Sequence, residues 1–186
     1  MYEKFGQFID GNWSPSADKG TYEVINPATE EILGHASKAT SVDVDKALKS
    51  AEKGLQIWKK TTPWDRSYIL RRIADKLREK KDVLAKWMTL ENGKPLAEGV
   101  GETNGAADIF EWNAEETKRI FGQTIESRFE DTRVHVYYQP VGVVAALSPW
   151  NFPLILAARK ISTALAAGCS VIIKPDTITP GVVMEL

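Results

Sequence analysis

The sequence predicts an α/β protein that contains the start of a doubly wound parallel sheet, and two observations carry that expectation. Residues 141–180, VGVVAALSPWNFPLILAARKISTALAAGCSVIIKPDTITP, read as strand, turn, helix, strand and turn, which is one βαβ unit of the usual length. Its two strands, Val141 to Leu147 and Ser170 to Ile173, are short apolar runs rich in β-branched residues, the pattern of strands covered on both faces. In a parallel sheet ligands sit beyond the carboxyl ends of the strands, and the turns 148–151 and 174–179 both fall on that edge. A binding crevice is expected there.

Within the unit, Ser148-Pro149 stops the first strand. Asn151 can cap the orphan amides of the next element, and Pro153 in its first turn loses no hydrogen bond, so a helix should begin at about Phe152. Leu154, Ile155, Ala158, Ile161, Leu165 and Ala166 recur at helical spacing, and Gly168 supplies a left-handed stop.

The preceding chain divides into three stretches. From Phe5 to Ala39, FIDGNW, TYEVINP and EILGHAS read as short strands punctuated by Asp10-Gly11, Pro15-Ser16, Asn26-Pro27 and Gly34. From Ser41, taken as a cap, Val44, Ala47, Leu48, Ala51, Leu55 and Trp58 form one helical stripe, with Asp43 and Asp45 in the first turn. A second helical region opens at Pro63 with Ile69, Leu70, Ile73 and Leu77. It continues after Asp82 through Val83, Leu84, Trp87 and Met88 to Asn92-Gly93. A weaker helix follows Pro95, with Thr103, Ala107, Phe110, Ala114, Thr117 and Phe121 on one face; Gly99, Gly101 and Gly105 imply close approach to a neighbour. Thr124 to Phe129 and Arg133 to Gln139 then read as a hairpin, whose polar-apolar ribbon would be exposed in a monomer and is expected to pair with another subunit. The chain stops within a helix announced by Thr179-Pro180, so it reads as the amino-terminal part of something longer. The expected units are 1–122, strand layer and helices; 123–140, an oligomerisation hairpin; and 141–186, the first βαβ unit.

Composition narrows the function classes. The 186 residues carry a net charge of −1 and 43% hydrophobic residues, which suits a globular core and argues against nucleic acid or a membrane surface as partner. Arg71 to Lys81 is the one notably basic stretch, and its apolar residues keep helical period, as on a solvated helix face. Cys169 is the single cysteine and no apolar signal segment opens the chain, so a cytoplasmic protein is expected. His35 and His135 lack neighbours at metal-binding spacing, and no metal site is expected.

Residue identities add a family resemblance. Pro140-Val141-Gly142-Val143-Val144, Ser148-Pro149-Trp150-Asn151-Phe152-Pro153, Ala166-Ala167-Gly168-Cys169 and Lys174-Pro175, in this order and spacing, resemble the aldehyde dehydrogenase superfamily, as do Asn26-Pro27-Ala28-Thr29 and Glu91-Asn92-Gly93-Lys94-Pro95 upstream. The resemblance covers essentially the whole chain and is closest in character to succinate-semialdehyde dehydrogenase-like members. It implies a Rossmann-like cofactor domain and oxidation of a small-molecule aldehyde to a carboxylic acid by NAD(P)+. The implied route runs through a cysteine thiohemiacetal, hydride transfer and thioester hydrolysis, in a homo-oligomer, a dimer or tetramer.

By that resemblance Asn151 is the side-chain donor to the oxyanion; by pattern alone it is a helix cap. Leu147, Ser148, Pro149 and Trp150 match a wall of the cofactor cleft, followed by Lys174, Pro175, Asp176 and Thr177. Lys174 matches the ligand to the adenosine ribose, against the alternative of a solvated lysine at a strand end. Three residues on, Thr177 replaces the Glu of NAD-preferring relatives, which tilts the expectation to NADP+ with NAD+ as the alternative. The Asp176 carboxylate either enters that space or points to solvent. Arg159 falls where succinate-semialdehyde enzymes contact the distal carboxylate, eight residues or about 12 Å beyond Asn151 on a helix; a structural ion pair is the other reading.

The nucleophilic Cys and general-base Glu of the family have no counterpart in these residues, so the chain alone is expected to be inactive. Cys169 opens a buried strand and reads as inert core. Glu91 and Glu98 read as helix-end residues without a site. The alternative function is a non-catalytic product that binds nucleotide weakly or associates with full-length subunits through the hairpin.

Overall fold

The computed structural model describes residues 6–186, so Phe5 and the opening residues read for a signal segment lie outside the described residues. Strands β1 (Gln7–Ile9) and β2 (Asn12–Ser14) form an antiparallel hairpin, and β3 (Thr21–Ile25) pairs antiparallel with β4 (Ile32–Ser37). Four helices follow: α1 (Ser41–Trp58), α2 (Pro63–Glu79), α3 (Lys81–Asn92) and α4 (Leu96–Glu116). Then come the hairpin β5 (Gln123–Glu126) and β6 (Arg133–Val136), the unit β7 (Val143–Leu147), α5 (Pro153–Ala166) and β8 (Ser170–Lys174), and the short α6 (Pro180–Met184). Strands β7 and β8 are parallel, from Val143 opposite Ser170 to Leu147 opposite Lys174, as a right-sized crossover helix requires.

Helix α4 lies at the centre because its small residues admit neighbours on three sides. It packs against α2, α3 and α5, and Thr103, Ala106, Ala107, Phe110 and Ala114 are fully enclosed. Gly99 is one reason for the closeness: a Cβ there would stand 3.0 Å from the Ala85 Cα of α3. Leu70 and Leu77 of α2, Leu84, Trp87 and Met88 of α3, and Leu154, Ala157 and Ala158 of α5 complete this core. Each fully buried Leu contributes about 1.5–3 kcal/mol relative to exposure. Gly93, at φ 78°, ends α3 in the left-handed conformation, and Gly168, at φ 86°, does the same after α5.

Several boundaries differ from the sequence reading, each for a tertiary reason. Phe121 is 70% exposed because α4 ends at Glu116 and a short 3-10 turn redirects the chain. The first strand of the βαβ unit begins at Val143; Val141 is 90% exposed, ahead of Gly142 at φ 129°. In the hairpin the ladder ends at Gln123 opposite Val136, so Tyr138 has no strand residue to pair with. The α1 stripe is only partly covered: the helix lies on β7, β8 and β1, leaving Val44 and Leu48 open while Trp58 donates from Nε1 to the Leu165 carbonyl at 2.9 Å. No helix among the described residues is long and apolar enough to cross a membrane.

The cap of α1 is Thr40, one residue before the expected Ser41. Asp43 decides this. Its buried carboxylate accepts from the Thr40 amide at 3.0 Å, the Thr40 hydroxyl at 2.8 Å and the Ala17 amide at 3.1 Å, tying the strand layer to the helix layer. The Thr40 and Ala17 amides hold the Asp43 carboxyl at about 2, below its ordinary 3.8. A depressed folded-state value stabilises above pH 3.8 and loses that contribution as pH falls toward about 2. Asp43→Asn is therefore expected to melt below the parent at neutral pH, with the gap closing through that acid window; a gap of constant size in melting curves would contradict the linkage.

Candidate active site

The carboxyl edge of β7 and β8 brings the two expected turns together. The Ser148 amide donates to the Lys174 carbonyl at 3.2 Å, extending the ladder by one bond, and Lys160 Nζ donates to the Leu147 carbonyl at 2.6 Å. Leu147, Pro149, Trp150, Asn151, Lys174 and Thr177 are exposed along this edge, while Pro175 and Asp176 are half-buried. Ser148 is buried, and its hydroxyl has no hydrogen-bond partner among the described residues. Asp176 folds onto its own turn, its Oδ1 accepting from the Ile178 amide at 3.0 Å. That bond holds the half-buried carboxylate on its own turn.

Asn151 does not cap α5. Phe152 occupies the cap position with no side-chain bond, and the free amides of Leu154 and Ile155 are taken by Glu102 Oε1 of α4 at 2.9 and 3.1 Å. The physical reason is charge: a carboxylate satisfies helix-start amides and their positive dipole end better than a neutral amide. The Asn151 side chain is consequently left in solvent contact.

Three residues that the sequence reading assigned no role hold this turn. Asn92 Nδ2 donates to the Trp150 carbonyl at 2.8 Å, and Lys94 Nζ donates to the Asn151 carbonyl at 3.0 Å. Lys94 also forms an ion pair with Glu102 in which both side chains are nearly inaccessible, and its ammonium lies 4.0 Å from the centre of the Phe152 ring. Removing one member of such a buried pair typically costs about 3–5 kcal/mol. The available signal was the ENGKP motif followed by Glu102, a charge on an otherwise buried helix face.

The second turn is seated from the same helix layer. Glu91, read as a helix-end residue without a site, is fully buried and accepts from the Gly181 amide at 2.6 Å and the Val182 amide at 3.1 Å, fixing the start of α6. Glu98 is exposed, as a first-turn acid on α4. Burial, and then the negative charges of Glu91 and Asp176, push the Tyr22 hydroxyl up to about 12, so it stays a neutral phenol beneath the edge.

Arg159 is exposed on α5 and forms no ion pair among the described residues. Both histidines are exposed, and no group of three metal-ligating side chains occurs among the described residues. Cys169, immediately before β8, is 2% exposed.

Residues 13–186 match the aldehyde dehydrogenase family. The chain belongs to that family. It is 44% identical over 173 residues to glutarate-semialdehyde dehydrogenase of Pseudomonas aeruginosa, covering 93% of this chain and 36% of that protein. It is 43% identical over 172 residues to the NADP(+) succinate-semialdehyde dehydrogenase GabD of Escherichia coli, covering 92% and 36%. The crystal structure of an E. coli NADP-dependent enzyme superposes with a TM-score of 0.95 at 41% identity, over 99% of this chain and 39% of that one. Betaine aldehyde dehydrogenase of Staphylococcus aureus in complex with NAD+ gives 0.94 at 36% identity, over 98% and 37%. The chain thus spans little more than a third of the length of these relatives.

Enclosure of Cys169 makes it slow to react. Thiol titration of the native chain is expected to show labelling only at the rate of unfolding, with full reaction in denaturant; rapid native labelling would contradict the burial.

Proposed function

We propose that this chain supplies the amino-terminal half of the active site of an NAD(P)+-dependent aldehyde dehydrogenase acting on a dicarboxylic semialdehyde, succinate semialdehyde being the type. The observation that carries the reading is the exposed Asn151 side chain on a turn whose backbone is held by Asn92 and Lys94, at the carboxyl edge of a parallel sheet. When a nucleophile adds to an aldehyde, charge moves onto the carbonyl oxygen. A fixed amide donor then strengthens its hydrogen bond in the transition state. Asn151 takes that role, without support from the α5 dipole, which Glu102 already answers.

The residues present fit a dinucleotide at the same edge. Among the described residues Lys174, which is exposed, forms no ion pair and the buried Ser148 hydroxyl has no hydrogen-bond partner, and Leu147, Pro149 and Trp150 offer an open wall. The nicotinamide group supplies the hydride acceptor. Lys174 binds ribose, and Thr177 leaves room for a 2′-phosphate, because Asp176 is engaged with Ile178; NADP+ is favoured and NAD+ is the alternative. Arg159, exposed on α5 beyond the Asn151 turn, meets the distal carboxylate. The relatives named for glutarate and succinate semialdehydes support that substrate class.

The nucleophilic Cys and general-base Glu come from outside residues 1–186, and the segment alone does not turn over. The exposed hairpin, with Ile125 at 46% and Val134 at 43% exposure, joins a second subunit.

Steady-state turnover of the full-length protein tests the reading. Succinate semialdehyde is expected to exceed an uncharged aldehyde of equal length in kcat/KM, with NADP+ serving at least as well as NAD+. Arg159→Ala should raise KM for the semialdehyde about tenfold, a loss of one charge-assisted contact, while sparing the uncharged aldehyde. Equal effects on both substrates would remove Arg159 from substrate recognition.

A further inference from the structure

Lys94 is placed unlike an ordinary partner in a buried ion pair. It enters from the three-residue link between α3 and α4, directly after the left-handed Gly93, and is 7% exposed. Its ammonium serves three groups at once: the Glu102 carboxylate, the Asn151 carbonyl at 3.0 Å and the face of Phe152 at 4.0 Å. Two of these belong to the turn itself. Glu102 meanwhile spends its other oxygen on the Leu154 and Ile155 amides. One buried anion therefore seats the helix that follows Asn151, and one buried cation both cancels that anion and grips the Asn151 backbone.

We infer that Lys94 is a positioning residue for the oxyanion donor, holding the Asn151 carbonyl while neutralising Glu102 so that no uncompensated negative charge lies beside the carbonyl oxygen where charge develops. The inference rests on the reading of Asn151 as that donor. Charge and geometry act in the same direction. Without the ammonium, the turn keeps only its Asn92 anchor at the Trp150 carbonyl, and the buried Glu102 carboxylate, left without its cation, opposes a developing oxyanion.

The closing experiment uses the full-length enzyme and compares Lys94→Met, the pair Lys94→Met/Glu102→Gln, and Asn151→Ala. Lys94→Met is expected to lower kcat about a hundredfold, the scale of a lost oxyanion donor, with cofactor KM within about twofold. The pair, which lacks the stranded carboxylate, should recover to about a tenfold deficit, the remainder being the lost grip on Asn151. A merely structural pair would lower the melting temperature of both variants and leave the kcat of the folded enzyme alone; that outcome overturns the assignment. Recovery absent from the double variant overturns its charge component. Should Lys94→Met not fold, the double variant carries the test, and parental kcat in it sinks the proposal. Asn151→Ala separates the two levels: a loss of about a hundredfold with Lys94→Met unaffected refutes only the Lys94 inference, whereas parental kcat in Asn151→Ala refutes the donor reading itself.

Discussion

The carboxylate of Glu102 sits between a lysine and two helix-start amides, with almost no access to solvent. A bare charge so placed would be prohibitively costly, so the site exists only because Lys94 arrives from another part of the chain. That requirement orders much of the structure. It sets where the link after α3 must pass, how α4 is rotated, and at what height α5 begins relative to β7. The small residues of α4 serve the same end, since Gly99 against Ala85 and Gly105 against Ile155 bring the helices close enough for Glu102 to reach the neighbouring helix start.

Two carboxylates of the helix layer perform parallel tasks at the sheet edge. Glu102 seats the helix after the first turn and Glu91 seats the helix after the second. The edge is consequently positioned from behind, by acids on α3 and α4, and its front is free to present Trp150, Asn151, Lys174 and Thr177. Polar groups exposed along the edge are separated from those that hold the scaffold, an arrangement suited to preorganised donors.

Local signals made much of the fold legible. The βαβ unit, the stops at Gly93 and Gly168 and the helix starts at Pro63 and Pro153 follow from turn chemistry and periodicity and recur within a residue or two in the structure, while the hairpin near Glu130 recurs with both strands ending three residues earlier than expected. The candidate edge was legible as well, because strand ends in a parallel sheet are read from the same pattern. What escaped was every role assigned by a distant partner. Lys94 and Asn151 are 57 residues apart, and Glu91 and Gly181 are 90 apart. Asn151 carries the residue type and position of a cap; only the competing carboxylate on α4 shows why it is not one. Ser41 lost its expected role to Thr40 because Asp43 also had the Ala17 amide to satisfy.

Gly181 illustrates where such separation leads. A Cβ at that position would stand 2.2 Å from the Trp87 ring and 2.7 Å from Glu91 Oε1, so the backbone after β8 slots into a groove that α3 must already have formed. Loop-closure entropy makes contacts of that span slow to form, while the helical layer assembles from nearby segments. The carboxyl edge of β7 and β8 is accordingly a late product of folding, since the second of its turns is seated only on a helical layer that is already in place.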